Sequence, residues 1–580
     1  MNASPQVRSI QRRDVPKHSL DGLPPVLARI YAARGVTSLG QLNAGLGQLA
    51  SPEQLLGIEE AVTILHDALD ADARILLVGD FDADGATSCA VGVLALRSMG
   101  ARHVDYIVPN RSEFGYGLTP EIVGVAACRE PDLIVTVDNG IASVDGVAVA
   151  QELGMSVLVT DHHLPAKMLP TADAIVNPNQ PGDRFPGKNL AGVGVIFYVM
   201  LALRSRLRAQ GWFEQRGVSE PNLAHLLDLV ALGTVADLVP LDQTNRILVR
   251  QGLARINAGH CRPGILALLE RAGRWPGRLS ARDLGFALAP RLNAAGRLDD
   301  MSYGIECLLR EDEAEAARLA ARLDELNLQR REMQADMQEQ AQQAVTAITL
   351  NQELPFGVCL CDEAWHPGIV GLIASRMKER LHRPVIAFAP DQSGELKGSA
   401  RSIEGLHIRD LLDTVATQHP GLLRKFGGHA MAAGLSLPRD SYETFREAFD
   451  RQVRAALDGN EPFQVVYTDD TLEEKDLSLD LAEQLLDGGP WGQHFPEPAF
   501  DNRFDVVDSR VVGDGHLKMR VRMSGGSRIL DAISFRHLEQ YGESCRAGGV
   551  RMVYRLEVNE FNGRRSAQLV VEHLEQHGAA

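Results

Sequence analysis

Val78-Gly79-Asp80-Phe81-Asp82-Ala83-Asp84-Gly85-Ala86-Thr87-Ser88 is the stretch from which the rest of the chain can be read. Ahead of it, residues 74–78 form a short apolar run with β-branched members, the mark of a buried strand. Behind it, residues 86–99 are rich in Ala, Leu and Val and read as a helix stopped by Gly100. Three carboxylates thus crowd the turn between a strand and a helix. In an open α/β sheet that turn lies at the carboxyl edge, where ligands bind. Alternate residues of an extended segment point the same way, which predicts Asp80, Asp82 and Asp84 on one side. Like charges that close repel one another unless a cation sits among them. The bland alternative is a solvated acidic loop.

Further strand-like runs follow at 103–109, 133–138, 156–161 and 174–177, separated by helix-like runs. That alternation is the pattern of a parallel α/β sheet. Three strands end in acid: Asp80 with its two followers, then Thr136-Val137-Asp138-Asn139-Gly140, then Val159-Thr160-Asp161-His162-His163. Parallel strands place all three ends on one edge, so the carboxylates and both histidines should converge. Further along, residues 223–237 read as an apolar helix that carries Asp237 to its end, and residues 289–298 read as a small-residue turn flanked by Arg291 and Arg297. A carboxylate in so apolar a segment either caps or ligates something.

At 580 residues the chain exceeds a single core, and several domains are expected. Hydrophobic content of 45% and charged content of 23% are those of an ordinary globular protein. No apolar run reaches the roughly 18 residues of a membrane span, and the polar, basic start has no secretory h-region. Of seven cysteines, only Cys359 and Cys361 lie close together, with no second pair to complete a zinc set. Reduced core thiols in a cytoplasmic protein are the expectation. The net charge of −17 argues against a nucleic-acid partner only on average, because residues 501–580 carry 12 Lys+Arg against 11 Asp+Glu. An acidic centre is also what a metal-dependent phosphodiesterase needs, so distribution decides more than the total.

Residues 310–348 contain no Pro or Gly and are dense in Ala, Glu, Gln, Arg and Leu. This predicts one long helix, on the order of 55 Å at 1.5 Å per residue, polar enough to connect two domains. A second α/β unit follows, with Trp365-His366-Pro367-Gly368, Lys397-Gly398-Ser399-Ala400-Arg401 and Lys425-Phe426-Gly427-Gly428-His429. Glycines beside Ser, Arg and His let backbone amides approach phosphate oxygens, although each cluster taken singly is more often just a turn. From about residue 465 apolar and polar residues alternate, as in His516-Leu517-Lys518-Met519-Arg520-Val521-Arg522, which fits a small β barrel with a basic outer face.

Asp-Phe-Asp-Ala-Asp-Gly, Val-Asp-Asn-Gly, Asp-His-His and Gly-Gly-His-Ala, in this order, resemble the motifs of the DHH phosphoesterase superfamily. The resemblance extends over the whole chain, through the long helix, the Arg-Leu-Asn-Ala-Ala-Gly-Arg segment and the barrel. It implies two α/β domains, DHH and DHHA1, with a parallel-sheet core, joined by the long connector helix and followed by a C-terminal OB-fold β barrel. The implied boundaries are an N-terminal extension at 1–50, the DHH domain at 51–309, the helix at 310–350, DHHA1 at 351–460 and the OB fold at 461–580. Where pyrophosphatases of the superfamily carry a histidine, four residues before Asp82, this chain has Val78, and the resemblance implies that Asp80 serves the first metal instead.

By the same resemblance the ligands are Asp80, Asp82, Asp84, Asp138, His162 and Asp237, holding two ions of Mn²⁺ or Mg²⁺. Asp82 with Asp80 would hold one ion, Asp84 with His162 and Asp237 the other, and Asp138 would bridge them. An oxygen-rich set with an imidazole suits those metals better than zinc. Asp138 and His163 are the implied catalytic residues. Arg111, Arg297, Ser399, Arg401, Gly427, Gly428 and His429 are the implied contacts to the DNA and its 5′-phosphate. The implied activity is 5′ to 3′ exonucleolytic hydrolysis of single-stranded DNA to 5′-mononucleotides, in recombination and repair. The implied setting is a cytoplasmic monomer, off the membrane, meeting single-strand-binding protein and a repair helicase. Two other classes fit parts of the pattern. A phosphodiesterase of cyclic dinucleotides would not need residues 465–580, and a non-catalytic scaffold would not keep every carboxylate and both histidines.

Overall fold

The computed structural model describes residues 8–109, 117–351, 353–391, 394–513, 515–538 and 548–576. It divides into two compact bodies: residues 12–326 with 468–580, and residues 327–467 with the chain's first residues up to Gln11.

The first body is built on the expected parallel sheet. Its strands are β1 (Ile75–Gly79), β2 (Val104–Ile107), β3 (Leu133–Val137), β4 (Ser156–Thr160) and β5 (Ala174–Val176). They run in the order β2-β1-β3-β4-β5, each parallel to its neighbour. Every residue of β1 and β3 is buried, as a strand covered on both faces requires. Among the helices that do the covering are α1 (Ala83–Ser98), α2 (Pro120–Ala127), α3 (Val144–Glu152), α4 (Gly192–Ala209) and α5 (Leu227–Ala236). The two-residue alternation sorts the side chains between them. Ile75, Leu77, Val135 and Val137 join the core of α1, α4 and α5, while Leu76, Val78, Ile134 and Val159 join that of α2 and α3.

Two local readings change. Asp80, Asp82 and Asp84 do not lie along one extended segment, because the helix begins earlier than its composition indicates. Asp82 is the N-cap of α1, its carboxylate accepting from the amides of Asp84 and Gly85, so Asp84 belongs to the first helical turn. The segment at 289–298 is not a turn but helix α6 (Ala289–Leu298), preceded by a π-helical turn at Leu284–Leu288. Its small residues serve close packing: a Cβ on Gly296 would lie 1.8 Å from the Phe81 carbonyl oxygen.

The long helix is α7 (Glu313–Asn351), 39 residues and about 58 Å at 1.5 Å per residue. It is less solvated than a plain connector. Ala316, Leu319, Ala320, Leu323 and Leu326 are buried in its first half, and Met337, Ala341 and Val345 in its second.

The second body holds a mixed sheet of β6 (Val358–Cys361), β7 (Val385–Pro390), β8 (Leu396–Arg401), β9 (Lys425–Gly428) and β10 (Ala432–Leu437), in the order β9-β10-β8-β7-β6. Of these neighbours only β6 and β7 run parallel. Helix α8 (Val370–Leu381) packs on β7 and β8. Cys359 on β6 is buried and Cys361 exposed, both as free thiols.

The C-terminal barrel is closed, from β11 (Phe500–Val512), β12 (His516–Met523), β13 (Ile529–Ser534), β14 (Gly548–Phe561) and β15 (Arg564–Gln576) in the order β11-β12-β13-β15-β14. Leu517, Met519 and Val521 point inward, with the basic residues between them outside. The barrel starts later than the alternation from 465 indicates, because residues 469–499 hold a helix, Leu479–Asp487, and a connecting segment. Its interior is continuous with the core of the parallel sheet's helices.

That connecting segment is fastened by the N-terminal region. Tyr31 stacks on Trp491 and Phe495. Arg34 Nη1 and Nη2 donate to the two carboxylate oxygens of Asp469 at 2.7 and 2.9 Å. Both side chains are 1% exposed, and Arg34 also donates to the carbonyls of Ile30 and Pro496. Breaking one side of such a pair strands a buried charge, at a cost on the order of 3–5 kcal/mol. Arg34→Met should therefore destabilise the first body by that much in urea unfolding. A loss well under about 1 kcal/mol would place the pair among weak surface bridges instead.

Candidate metal centre

The carboxyl ends of β1, β3 and β4 converge as parallel topology demands. Asp80 and Asp138 follow β1 and β3 directly, and His162 and His163 stand just beyond β4. Asp138 has a φ of 63°, a left-handed backbone uncommon outside glycine. Asp237 arrives separately, as the C-cap of α5. Three overlapping sets result: Asp80, Asp82 and Asp138; Asp84, His162 and Asp237; and Asp138, His162 and His163. Within each set one ligand atom per residue lies within 4.8 Å of the others. Asp138 belongs to two sets, and His162 Nε2 lies 3.1 Å from Asp138 Oδ1 and 3.5 Å from Asp237 Oδ2.

Backbone amides hold several of these groups in place. Asp84 accepts from Gly192 N at 2.6 Å and Val193 N at 3.0 Å, which seats its carboxylate on the positive N-terminus of α4. Asp80 Oδ1 accepts from Phe81 N, and Asn293 on α6 accepts from Ala83 N, clamping the turn from the far side. Asn179 and Asn177 donate to the carbonyls of His162 and His163.

Electrostatics sets the character of the cluster. Burial, reinforced by Asp82 and only partly opposed by the Val193 and Gly192 amides, pushes Asp84 up to about 7. Burial, followed by the charges of Asp84, Asp82 and Asp237, holds Asp138 well above the usual carboxylate range. Burial, with the same neighbours Asp84 and Asp82, does so for Asp237. Carboxylates this close and this dry keep their charges only if positive charge is supplied. Oxygen donors with one imidazole are the chemistry of Mn²⁺ and Mg²⁺, so the residues present fit those ions.

Asp161 is the acid at the converging edge to which sequence reasoning gave no role. It ends β4 just as Asp80 ends β1, yet it is spent on positioning. Oδ2 accepts from Ile141 N at 2.9 Å, while Oδ1 accepts from His162 N at 2.7 Å and faces His163 Nδ1 at 2.8 Å. Burial raises its pKa, but the hydrogen bond and charge of His163 outweigh that and hold it below the ordinary value. Burial likewise works against charge on His163, and Asp161 outweighs it, so the imidazole keeps its proton more tightly than usual. Gly192 was also missed: a Cβ there would lie 2.5 Å from Asp138 Oδ1. Neither role has a signal in one sequence, since both depend on which elements meet.

The remaining candidates fall elsewhere. Arg297 lies in the last turn of α6, beside the Gly296 contact with the metal-binding turn. Arg111 lies outside the described residues. Ser399, Arg401, Gly427, Gly428 and His429 all belong to the second body. Strand register puts Ser399 opposite Gly434 and Gly434 opposite Gly427, so one row on one face carries a hydroxyl and two glycines. Arg401 Nη1 donates to Ser399 Oγ at 2.9 Å. A Cβ on Gly371, in the first turn of α8, would lie 2.9 Å from Arg401 Nη2 and 3.0 Å from Ser399 Oγ. A hydroxyl, a guanidinium and a helix N-terminus thus meet at one place, where an anion is favoured. His429 closes the β9–β10 turn, its amide donating to the Ala432 carbonyl.

Comparison with known proteins agrees with this geometry. The DHH family N-terminal domain matches residues 74–234, the DHHA1 domain 351–455 and the RecJ OB domain 468–573. The single-stranded-DNA-specific exonuclease RecJ of Dickeya dadantii is 54% identical over 570 residues, 98% of this chain and 99% of that protein. Its namesake from Escherichia coli is 52% identical over 553 residues, covering 95% and 96%. The crystal structure of RecJ with Mn²⁺ from Thermus thermophilus superposes with a TM-score of 0.78 at 31% identity, covering 96% of this chain and 76% of that one. A second structure from the same organism holds Mg²⁺.

The Asp161–His163 pair gives a pH test. If His163 donates a proton during the reaction, activity falls as pH rises through its pKa, which Asp161 raises. Asp161→Asn should move that alkaline limb of kcat toward lower pH, with little change in strand affinity. An alkaline limb at the same pH in both proteins would show that His163 is not the titrating donor.

Proposed function

The chain belongs to the RecJ family of the DHH superfamily, and from that membership we propose the path of the reaction on its own residues. It is a single-stranded-DNA-specific exonuclease using Mn²⁺ or Mg²⁺. The observation that carries the residue-level reading is that Asp138 belongs to the Asp80–Asp82 donor set and its Oδ1 also lies 3.1 Å from His162 Nε2 of the Asp84–Asp237 set.

Asp80, Asp82 and Asp138 would hold one ion, and Asp84, His162 and Asp237 a second, with Asp138 able to serve both. What such a pair supplies when bound is a lowered pKa for the attacking water and neutralisation of charge on the phosphate and both in-line oxygens. The amides of Gly192 and Val193 fix Asp84 so that its carboxylate need not reorganise. His163, held by Asp161, would deliver its proton to the 3′-oxygen that departs as the terminal nucleotide is cut away. The product of that cut is a 5′-mononucleotide.

Polarity requires recognition of the strand end. Ser399, Arg401 and the first turn of α8 supply charge-assisted donors to a terminal 5′-phosphate, and the glycine faces of β9 and β10 leave room for it. The barrel's outward basic residues, Lys518, Arg520 and Arg522, suit the backbone of the strand further along. No described helix is long and apolar enough to cross a membrane. Single-strand-binding protein and a repair helicase are the partners that fit this activity, in a monomer acting in recombination and repair.

Digestion of end-labelled single strands, with and without a 5′-phosphate, in Mn²⁺ or Mg²⁺, tests the whole reading, and a variant isolates the end pocket. Arg401→Ala should cost about 1.5–3 kcal/mol of binding to the terminal phosphate, roughly ten- to a hundredfold in kcat/KM at about 1.4 kcal/mol per decade. Strands ending in a 5′-hydroxyl should lose much less. Equal losses on both would assign Arg401 to the backbone and leave polarity to other residues.

A further inference from the structure

The metal centre makes no use of a second feature of the first body, a pair of exposed aromatic rings set among arginines. Trp275 is 70% exposed and Phe286 80%. Residues 271–291 carry Arg271, Arg274, Arg278, Arg282 and Arg291 against Asp283 as the single acid, in a chain whose net charge is −17. The first four of these arginines are exposed. One exposed ring needs no explanation. Two rings interleaved with exposed arginines are the composition of a surface that stacks bases and neutralises phosphates.

The patch is held rigidly. Gly273 and Gly277, with φ of 64° and 128°, turn the chain on either side of Trp275. Asn257 pins the loop, Oδ1 accepting from Gly277 N and Leu279 N at 3.1 and 2.7 Å and Nδ2 donating to the Leu279 carbonyl at 2.9 Å. Arg274 Nε donates to Asp283 Oδ1 at 3.0 Å, joining this loop to the segment that carries Phe286. Phe286 itself rides on the π-helical turn at Leu284–Leu288. Such turns are rare and recur at functional sites.

Its neighbours give the patch a direction. On one side a Cβ on Gly285 would lie 3.2 Å from Val235 Cγ1, two residues before the ligand candidate Asp237. On the other, Arg282 Nη1 donates to Glu557 Oε1 at 3.1 Å, on β14 of the barrel. The segment that carries Phe286 therefore lies between the helix that delivers Asp237 and the barrel. We propose that Trp275 and Phe286, with Arg271, Arg274 and Arg278, form a base-stacking platform for single-stranded DNA, which holds the strand on the catalytic body as its end is consumed. The proposal rests on the reading that the chain degrades single strands.

The test compares Trp275→Ala/Phe286→Ala with wild type on a 5′-phosphorylated trithymidylate and on a long 5′-phosphorylated oligothymidylate. The long strand should show an apparent KM raised about tenfold or more, equivalent to about 1.4 kcal/mol, while turnover of the short one stays unchanged. Trp275→Tyr/Phe286→Tyr, which keeps both rings, should behave as wild type on both. Unchanged kinetics on the long strand would overturn the proposal and leave the patch to a protein partner. Equal losses on both lengths, or losses that the ring-keeping variant shares, would overturn it as well, by placing the defect in the fold or the metal centre. A wild-type enzyme that left both substrates intact would instead refute the underlying assignment of activity.

Discussion

The structure depends on mutual repulsion among carboxylates that the fold buries together. Asp80, Asp84 and Asp138 are nearly inaccessible to solvent, and burial compounds the effect of each on its neighbours. Without added positive charge the cheapest relief is protonation, which is why Asp84, Asp138 and Asp237 all move above the ordinary carboxylate range. Divalent ions give the same relief and gain affinity from it. The surrounding architecture keeps the acids from escaping one another: the amides of α4 hold Asp84, the amides after Asp82 hold its cap, and α6 closes against Phe81.

Much of this was legible in the sequence. The five strands of the parallel sheet lie within a residue or two of the apolar runs that predicted them, because a strand buried on both faces leaves an uninterrupted signal. The long helix was legible from composition. What failed was tertiary. Asp161 and Asp80 look equivalent, each an acid at the end of a buried strand, and only the meeting of β4 with Ile141 and the two histidines separates a positioning carboxylate from a candidate ligand. Residues 289–298 resembled a turn because Gly296 serves close contact with the Phe81 carbonyl, and Ala294 and Ala295 serve burial, rather than chain reversal. Residues 469–499 stay outside the barrel because they hold the helix Leu479–Asp487 and a segment whose Asp469, Trp491 and Phe495 fasten to Arg34 and Tyr31.

The division of labour follows from the same facts. Chemistry resides in a parallel sheet whose strand ends need an ion. An anion-favouring pocket of Ser399, Arg401 and the first turn of α8 belongs to a separate compact body. The barrel shares its core with the catalytic helices, so its outer face is carried rigidly with the metal centre. On the proposed reading, a strand held on that face would sit at a fixed distance from the cut, which repeated removal of terminal nucleotides requires.

The central claim is that Asp138 unites two ion sites. Titration of the metal-free protein with Mn²⁺, followed by electron paramagnetic resonance, measures this directly. The account predicts two ions per chain in the wild type with the exchange-coupled signal of a pair about 3.5–4 Å apart, and loss of that coupling in Asp138→Asn. A single ion per wild-type chain, or two magnetically isolated ions, would contradict it.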